Sequence, residues 1–339
     1  MTSQSPRASR PAVPRALVLL AAWPLLAAGC TQTFTPASVI EDRRVLALVA
    51  DPPELDGTVP GATTTVRAFE AQPLQDPALP AGTDTLERRW TFCPFSLGAA
   101  AAYACAVPQC EVELRPDATG AVTVEPLALV GACLQDPRVV LPPELAGGAL
   151  PPVVEVLVRY RLVALLAGAP VPSATEVLVR DTVQRIPVRT TASAAPLNTR
   201  PGFADPAVTV GPKSGVTPAE RCADPTPTGV TGCPSAGTLT PGVALRIAAH
   251  VDPSTIQAYA VGDRTVSETF TVSFFTTAGR FKDDRGNATR AGAEVVAELS
   301  HEEVDPSVRD ALLWVVLRDL RGGQAVEGPF RIAVDPPAP

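Results

Sequence analysis

Apolar and polar residues alternate with a period of two through much of the chain from Val45 onward. Val154, Val156, Val158, Tyr160 and Leu162 alternate with Glu155, Arg159 and Arg161, the pattern of a long strand with one buried and one wet face. Thr175 to Thr190 can return beside it. The phase of Val177 and Val179 does not match that of Ile186 and Val188, which predicts a β-bulge. Val45 to Val49 is a short apolar strand stopped by Asp51-Pro52-Pro53. Later, Val243, Leu245, Ile247, Ala249 and Val251 alternate with Arg246, His250 and Asp252, and Phe270, Val272 and Phe274 alternate with Thr269, Thr271 and Ser273. Leu312 to Leu317 is apolar on both phases, as a central strand with two covered faces would be. Asp319 to Gly323 supplies a turn, and Phe330, Ile332 and Val334 form a terminal strand. One or two helical turns are predicted around Pro306 to Ala311.

Short strands separated by Pro, Gly and Asp clusters predict an all-β chain of two tandem antiparallel sandwiches rather than alternating β and α units. Residues 192–203 have no apolar period and read as a linker between a first sandwich at 44–191 and a second at 204–336. A length of 339 residues fits two domains of ordinary size. Thirty-eight prolines and 24 glycines exclude a helical bundle, because each such residue in a helix interior is strongly unfavourable. Trp90, Trp314 and most phenylalanines fall on core phases.

The N-terminus follows a different pattern. Arg7, Arg10 and Arg15 precede an apolar run from Ala16 to Ala28, the layout of a secretory signal. Interrupted by Pro24, the run reaches about 20 Å as a helix, too short for a bilayer core of roughly 30 Å. Its end, Leu26-Ala27-Ala28-Gly29-Cys30, resembles the lipobox of bacterial lipoproteins, with alanine three before the cysteine and Leu26 one position further back. The resemblance implies removal of residues 1–29 and acylation of Cys30 with diacylglyceryl and palmitate-type chains, strong enough to keep the protein on a membrane. Residues 30–43 then form a lipidated tether. Thr31, where an aspartate would resemble an inner-membrane retention signal, points to the outer membrane.

Seven cysteines become six once Cys30 is set aside, an even number in an exported chain. Cys222 and Cys233 stand apart and are predicted to pair. Cys93, Cys105, Cys110 and Cys133 allow three connectivities. There is no C-x-x-C pair and there are two histidines, so no structural metal site is expected.

The net charge is −7, and the loss of three arginines with residues 1–29 takes it to −10, which removes the main driving force for nucleic-acid binding. His301-Glu302-Glu303-Val304-Asp305 begins like a zincin helix but lacks the second histidine, and reads as a polar loop. Gly211-Pro212-Lys213-Ser214-Gly215 is neither a nucleophile elbow nor a phosphate loop. His250 lies on the polar phase of a strand, so a nucleophile has few candidate bases. Asp283-Asp284-Arg285-Gly286-Asn287 offers oxygen ligands for calcium but reads as a hairpin tip.

Val315-Val316-Leu317-Arg318-Asp319-Leu320-Arg321-Gly322-Gly323, followed by Phe330 to Val334, resembles the closing hairpin of bacterial Ig-like and PKD-like surface domains. Val45 to Leu55 with Pro60-Gly61 is similar to their opening strand and turn. The resemblance implies Ig-like sandwiches and carries no catalytic residue across. Together these readings lead us to expect a non-enzymatic envelope lipoprotein without cofactor, held on the membrane by its lipid and presenting a surface to a protein or polysaccharide. The alternatives are a calcium-stiffened adhesin and a hydrolase with an unfamiliar acidic site.

Overall fold

The predicted strands pair into two sandwiches built on one plan. A computed structural model describes residues 37–74, 83–141, 150–166, 176–212, 214–223, 230, 232–261 and 263–336. The first half contains β1 (Arg44–Asp51), β2 (Leu55–Asp56), β3 (Thr64–Ala71), β4 (Thr83–Cys93), β5 (Val112–Leu114), β6 (Val122–Val124), β7 (Val153–Leu166) and β8 (Glu176–Arg189). They form one sheet in the order β1-β3-β6 and another in the order β2-β8-β7-β4-β5.

The second half contains β9 (Phe203–Gly211), β10 (Thr217–Pro218), β11 (Ser235–Leu239), β12 (Leu245–Val251), the hairpin β13 (Ala258–Val261) and β14 (Arg264–Ser267), β15 (Phe270–Thr276), β16 (Arg280–Phe281), β17 (Arg285–Ala288), β18 (Glu294–Ser300), β19 (Asp310–Arg318) and β20 (Gln324–Val334). Its sheets run β10-β9-β12-β18-β16 and β11-β20-β19-β15-β17. The core of this order, β9-β12-β18 against β11-β20-β19-β15-β17, repeats that of the first half strand for strand. In both, a short strand crosses over to pair in parallel with the last one, β2 with β8 and β11 with β20, while the other ladders are antiparallel. With β1, β3 and β6 taken as strands A, B and E, and β4, β7 and β8 as C, F and G, the two facing sheets have the immunoglobulin-type arrangement.

Each sandwich has its own core. Leu48, Val66, Trp90, Tyr160 and Ile186 belong to the first, and Ile247, Phe274, Leu313, Leu317 and Phe330 to the second. Trp90 and Tyr160 pack with ring centroids 4.5 Å apart. A third apolar cluster joins the two. Alternate residues of β19, Leu312, Trp314 and Val316, face away from the second core and meet Ile40 and, on the outer face of the β1-β3-β6 sheet, Leu46, Ala47 and Val49. The two-phase apolar run at 312–317 therefore has a cover on each side, and the four sheets stack.

The stacking also closes an exposed edge. β1 has β3 on one side only. On the other side Arg318 Nη2 donates to the Leu46 carbonyl and Gln324 Nε2 to the Leu48 carbonyl at 3.1 Å. Side chains from the second sandwich thus satisfy edge acceptors that would otherwise invite another strand.

Several expectations are corrected. Ser38 to Ile40, assigned to the tether, dock on β15: Ile40 N donates to Thr276 O at 2.7 Å, Thr276 N donates to Ser38 O at 2.9 Å, and Ile40 is fully buried. The buried isoleucine and the two main-chain hydrogen bonds together hold that segment on the sheet. β9 begins at Phe203, the last residue assigned to the linker. Pro306 to Ala311 is not helical; its residues form turns that lead into β19. Among the described residues the α-helix is instead α1 (Pro126–Gln135), with proline in its first turn and Cys133 facing the core. The expected bulge is present where Leu162 pairs with Arg180 and Val163 with Leu178, leaving Val179 extra. The Asp283–Asn287 segment is not a hairpin tip, because Arg285 to Ala288 is β17, paired with β15.

Trp314→Ala should lower the free energy of unfolding by about 3–5 kcal/mol, measured by urea denaturation. Leu320→Ala, at a residue 79% exposed, should stay within about 0.5 kcal/mol of the parent.

Candidate functional site at the seam

The turn from Asp319 to Gly323 is built by its own aspartate. Asp319 Oδ1 accepts from Arg321 N at 2.7 Å and Gly323 N at 2.8 Å, and Asp319 N donates to Gly323 O at 3.0 Å. A Cβ on Gly323 would stand 2.2 Å from Asp319 Oδ2, so no larger residue fits. The turn aims Arg321 into the junction of the sandwiches. Its Nη2 donates to Glu54 Oε2 at 2.9 Å in the first half, and its Nη1 to Glu268 Oε1 at 3.1 Å and Gln257 Oε1 at 3.2 Å in the second. The guanidinium carbon lies 5.2 Å from the centroid of the Tyr259 ring, a cation–π contact.

The remaining carboxylate oxygens are also used. Glu54 Oε1 accepts from Arg189 Nε at 2.6 Å, and Oε2 additionally from Asn198 N at 2.6 Å. Arg189 also donates to the carbonyls of Ala195 and Pro196, so the connecting segment is strapped to the network. Asp319 Oδ2 accepts from Asn198 Nδ2 at 3.0 Å, and Glu268 Oε2 from Gln257 N at 2.9 Å. Burial pushes the Asp319 and Glu268 carboxyls above their ordinary range, and the hydrogen bonds they accept pull back only part of that rise. Buried carboxyls with raised pKa values are a signature of catalytic sites and of structural ion networks alike. Here all six oxygens of Glu54, Glu268 and Asp319 have donors, so the chemistry available is fastening.

A second network lies inside the first sandwich. Glu70 occupies an inward phase of β3 and is 8% exposed. It accepts from Arg88 Nε at 2.7 Å, Arg43 Nη1 at 3.0 Å and the Tyr160 hydroxyl. Burial alone would raise its carboxyl, but the Arg88, Tyr160 and Arg43 hydrogen bonds outweigh it and hold the group below the usual range. Burial and the neighbouring Glu70 charge push the Tyr160 hydroxyl well up.

The six cysteines expected to pair do so as Cys93–Cys105, Cys110–Cys133 and Cys222–Cys233, with Cα separations of 5.7, 5.3 and 4.2 Å. Cys110–Cys133 fastens α1 to the turn at Pro108–Cys110. Cys30 lies outside the described residues, as does Lys213. His250 Nε2 meets the Thr209 hydroxyl at 3.0 Å, with its Nδ1 3.7 Å from Glu294 Oε2, and His301 Nε2 meets the Asp335 carbonyl at 2.8 Å. Among the described residues no three His, Cys, Asp or Glu side chains converge as metal ligands. Gly286 of the calcium candidate is where β17 passes against Val295, which would lie 2.4 Å from an added Cβ.

An open cleft of about 660 Å³ runs along the seam. Its walls are the outer face of β3 at Arg67 and Phe69, the connecting segment at Arg200 and Phe203, Arg221 beside the Cys222 disulfide, and β20 from Ala325 to Gly328. Arg200 pairs with Asp51 at 3.0 Å and Arg221 with Glu327 at 3.3 Å.

Neither Arg321, Glu54 nor Glu70 was singled out from the sequence. Glu70 carried a usable signal, a carboxylate in phase with Thr64, Val66 and Ala68. Arg321 carried none beyond its place in a predicted turn, because its partners are 267 and 53 residues away.

No protein-family model matches the chain, and no curated protein matches it. Among solved structures it is similar to the D0-D1 domain of intimin, with 11% identity over 86% of this chain and 96% of that one and a TM-score of 0.18. Fibronectin(III)-like modules of CbhA from Clostridium thermocellum show 10% identity over 86% and 92% of the two chains, with a TM-score of 0.19. Dimeric latent PorU from Porphyromonas gingivalis shows 12% identity over 89% of this chain and 21% of its own, with a TM-score of 0.20. Scores this low carry neither fold nor function; the sandwich assignment rests on the strand order.

Arg321→Met should destabilise the protein by about 3–5 kcal/mol, because it strands the buried Glu268 carboxylate without its cation and leaves Glu54 with Arg189 alone. The folded-state pKa values of Asp319 and Glu268 stand above the ordinary 3.8 and 4.5, so these groups take up protons readily in the native state. The penalty should therefore shrink as pH is lowered from neutrality, read from denaturation midpoints across pH.

Glu70→Gln should behave in another way. The folded-state carboxyl sits below its ordinary 4.5, so the stabilisation is full above that value and is lost as pH falls through the folded one. The substitution should cost about 2 kcal/mol at neutral pH, and the cost should fade in titrations below about pH 4.5.

Proposed function

We propose that the chain is a non-enzymatic cell-envelope lipoprotein. It is exported, acylated at Cys30, held at the outer membrane, and presents its fused pair of sandwiches as a binding or structural surface to a protein or polysaccharide partner. The observation that carries this reading is the cysteine pairing. Six of the seven cysteines are joined to one another, so none of the described cysteines remains to pair with Cys30, which supports use of that thiol for the lipid. Three disulfides also suit an oxidising compartment outside the cytosol. No helix among the described residues is long and apolar enough to cross a membrane. The saturated carboxylates at the seam support a role without catalysis.

Mass spectrometry of the N-terminal peptide, from chain recovered in the envelope, should find residues 1–29 absent and a diacylglyceryl group on Cys30. Cys30→Ser should leave the precursor at full length and abolish acylation. A free thiol at Cys30 in the mature chain, or a precursor whose size is indifferent to globomycin-type inhibition, would overturn the reading.

A further inference from the structure

β20 is paired unevenly. On one edge it meets β19 from Gln324 to Ala333. On the other, β11 covers only Arg331 to Val334, Arg221 forms an isolated bridge with Phe330, and Cys222 N donates to Pro329 O at 2.9 Å. From Gln324 to Gly328 that second edge carries no strand partner among the described residues. Ala325 to Gly328 of this stretch lines the cleft, about 13 Å of strand at the usual rise, with the Val326 side chain turned into the apolar cluster between the sandwiches.

The surroundings of the open edge are basic, on a protein whose overall charge is negative. Arg67, Arg200 and Arg221 line the cleft, with Glu327 as its acid. Arg67 is exposed and has no carboxylate within ion-pair distance among the described residues, and its charge helps hold the Asp117 carboxyl below its ordinary range. The two paired arginines keep substantial exposure, at 50% for Arg200 and 60% for Arg221, so their remaining donors face water. Phe69 and Phe203 add half-buried apolar surface between these charges. The volume lies in the range of ligand sites.

We propose that this cleft binds an extended, carboxylate-rich peptide segment of a partner protein, which adds as a strand to the edge of β20 that is unpaired among the described residues, while its acidic side chains meet Arg67, Arg200 and Arg221. A strand edge offers main-chain donors and acceptors at a regular two-residue repeat, which an extended peptide matches and a saccharide does not. The charge selects the sequence and the edge selects the conformation. The proposal deepens the binding role above by naming the partner's chemistry. It is independent of the lipid, so a chain lacking acylation serves for the test and failure of the anchoring reading leaves this one standing.

The test uses the full, oxidised chain and a fluorescent octapeptide of alternating valine and glutamate, followed by anisotropy at low ionic strength. Saturable binding is expected, weakened by salt at about 0.5 M. Arg67→Glu should weaken it roughly fivefold or more, with an unchanged thermal midpoint because the residue is exposed. Two further peptides carry N-methyl groups on alternate residues in opposite phases; one should lose binding and the other should keep it, since only one phase points its N–H groups at β20. Absence of saturable binding, equal behaviour of the two N-methylated peptides, or indifference to Arg67→Glu would overturn the proposal. So would displacement of the peptide by oligogalacturonate at equal carboxylate concentration, which would assign the cleft to acidic glycans.

Discussion

β19 has no wet face. Ala311, Leu313, Val315 and Leu317 fill the second core, and Leu312, Trp314 and Val316 would lie bare on the opposite side of the sheet if nothing covered them. A patch of that size on an isolated sandwich would drive association. In this chain the cover is the outer face of the first sandwich, through Leu46, Ala47 and Val49, and the other features of the seam follow from that contact. Bringing two sheets face to face places the open edge of β1 beside Arg318 and Gln324, and places the Asp319–Gly323 turn against Glu54.

Those polar groups then have to be satisfied. Glu54, Glu268 and Asp319 have little solvent, and the donors that replace water come from both halves and from the segment between them. A buried ion network of this kind adds little net stability compared with apolar packing of the same volume, but misplacing one partner is severe. The apolar cluster therefore supplies the attraction, and the network fixes which alignment of the two sandwiches is tolerated. The straps from Arg189 to Ala195 and Pro196, together with the burial of Asn198 to 1% exposure, make the connecting segment part of that alignment.

Much of the architecture was legible because period-two alternation reports burial directly. The strands at 154–162, 270–274 and 330–334, the bulge in β8 and the special status of 312–317 could all be read from residue order. The repeated strand plan could not, since the two halves use unlike residues to fill equivalent positions and differ in their insertions, a helix in one and a hairpin in the other. α1 escaped notice because its run, Pro-Leu-Ala-Leu-Val-Gly-Ala-Cys-Leu-Gln, is apolar nearly all round and short, so periodicity cannot separate it from a strand. The turns at Pro306–Ala311 show the converse, where local helical propensity yields to the need to enter β19. The ion networks were illegible for a simpler reason: a charged residue in a strand or turn looks solvated until its distant partner is known.

The side chains that close the edge of β1 lie 272 and 276 residues further along the chain than the carbonyls they serve. During synthesis the N-terminal half emerges first, with that row of acceptors and the apolar sheet beside it still without their cover. Its protection arrives last, with the final hairpin. The C-terminal sandwich thus shields the N-terminal one, and a polypeptide cut short before Arg318 would keep an adhesive flank that the intact fold covers.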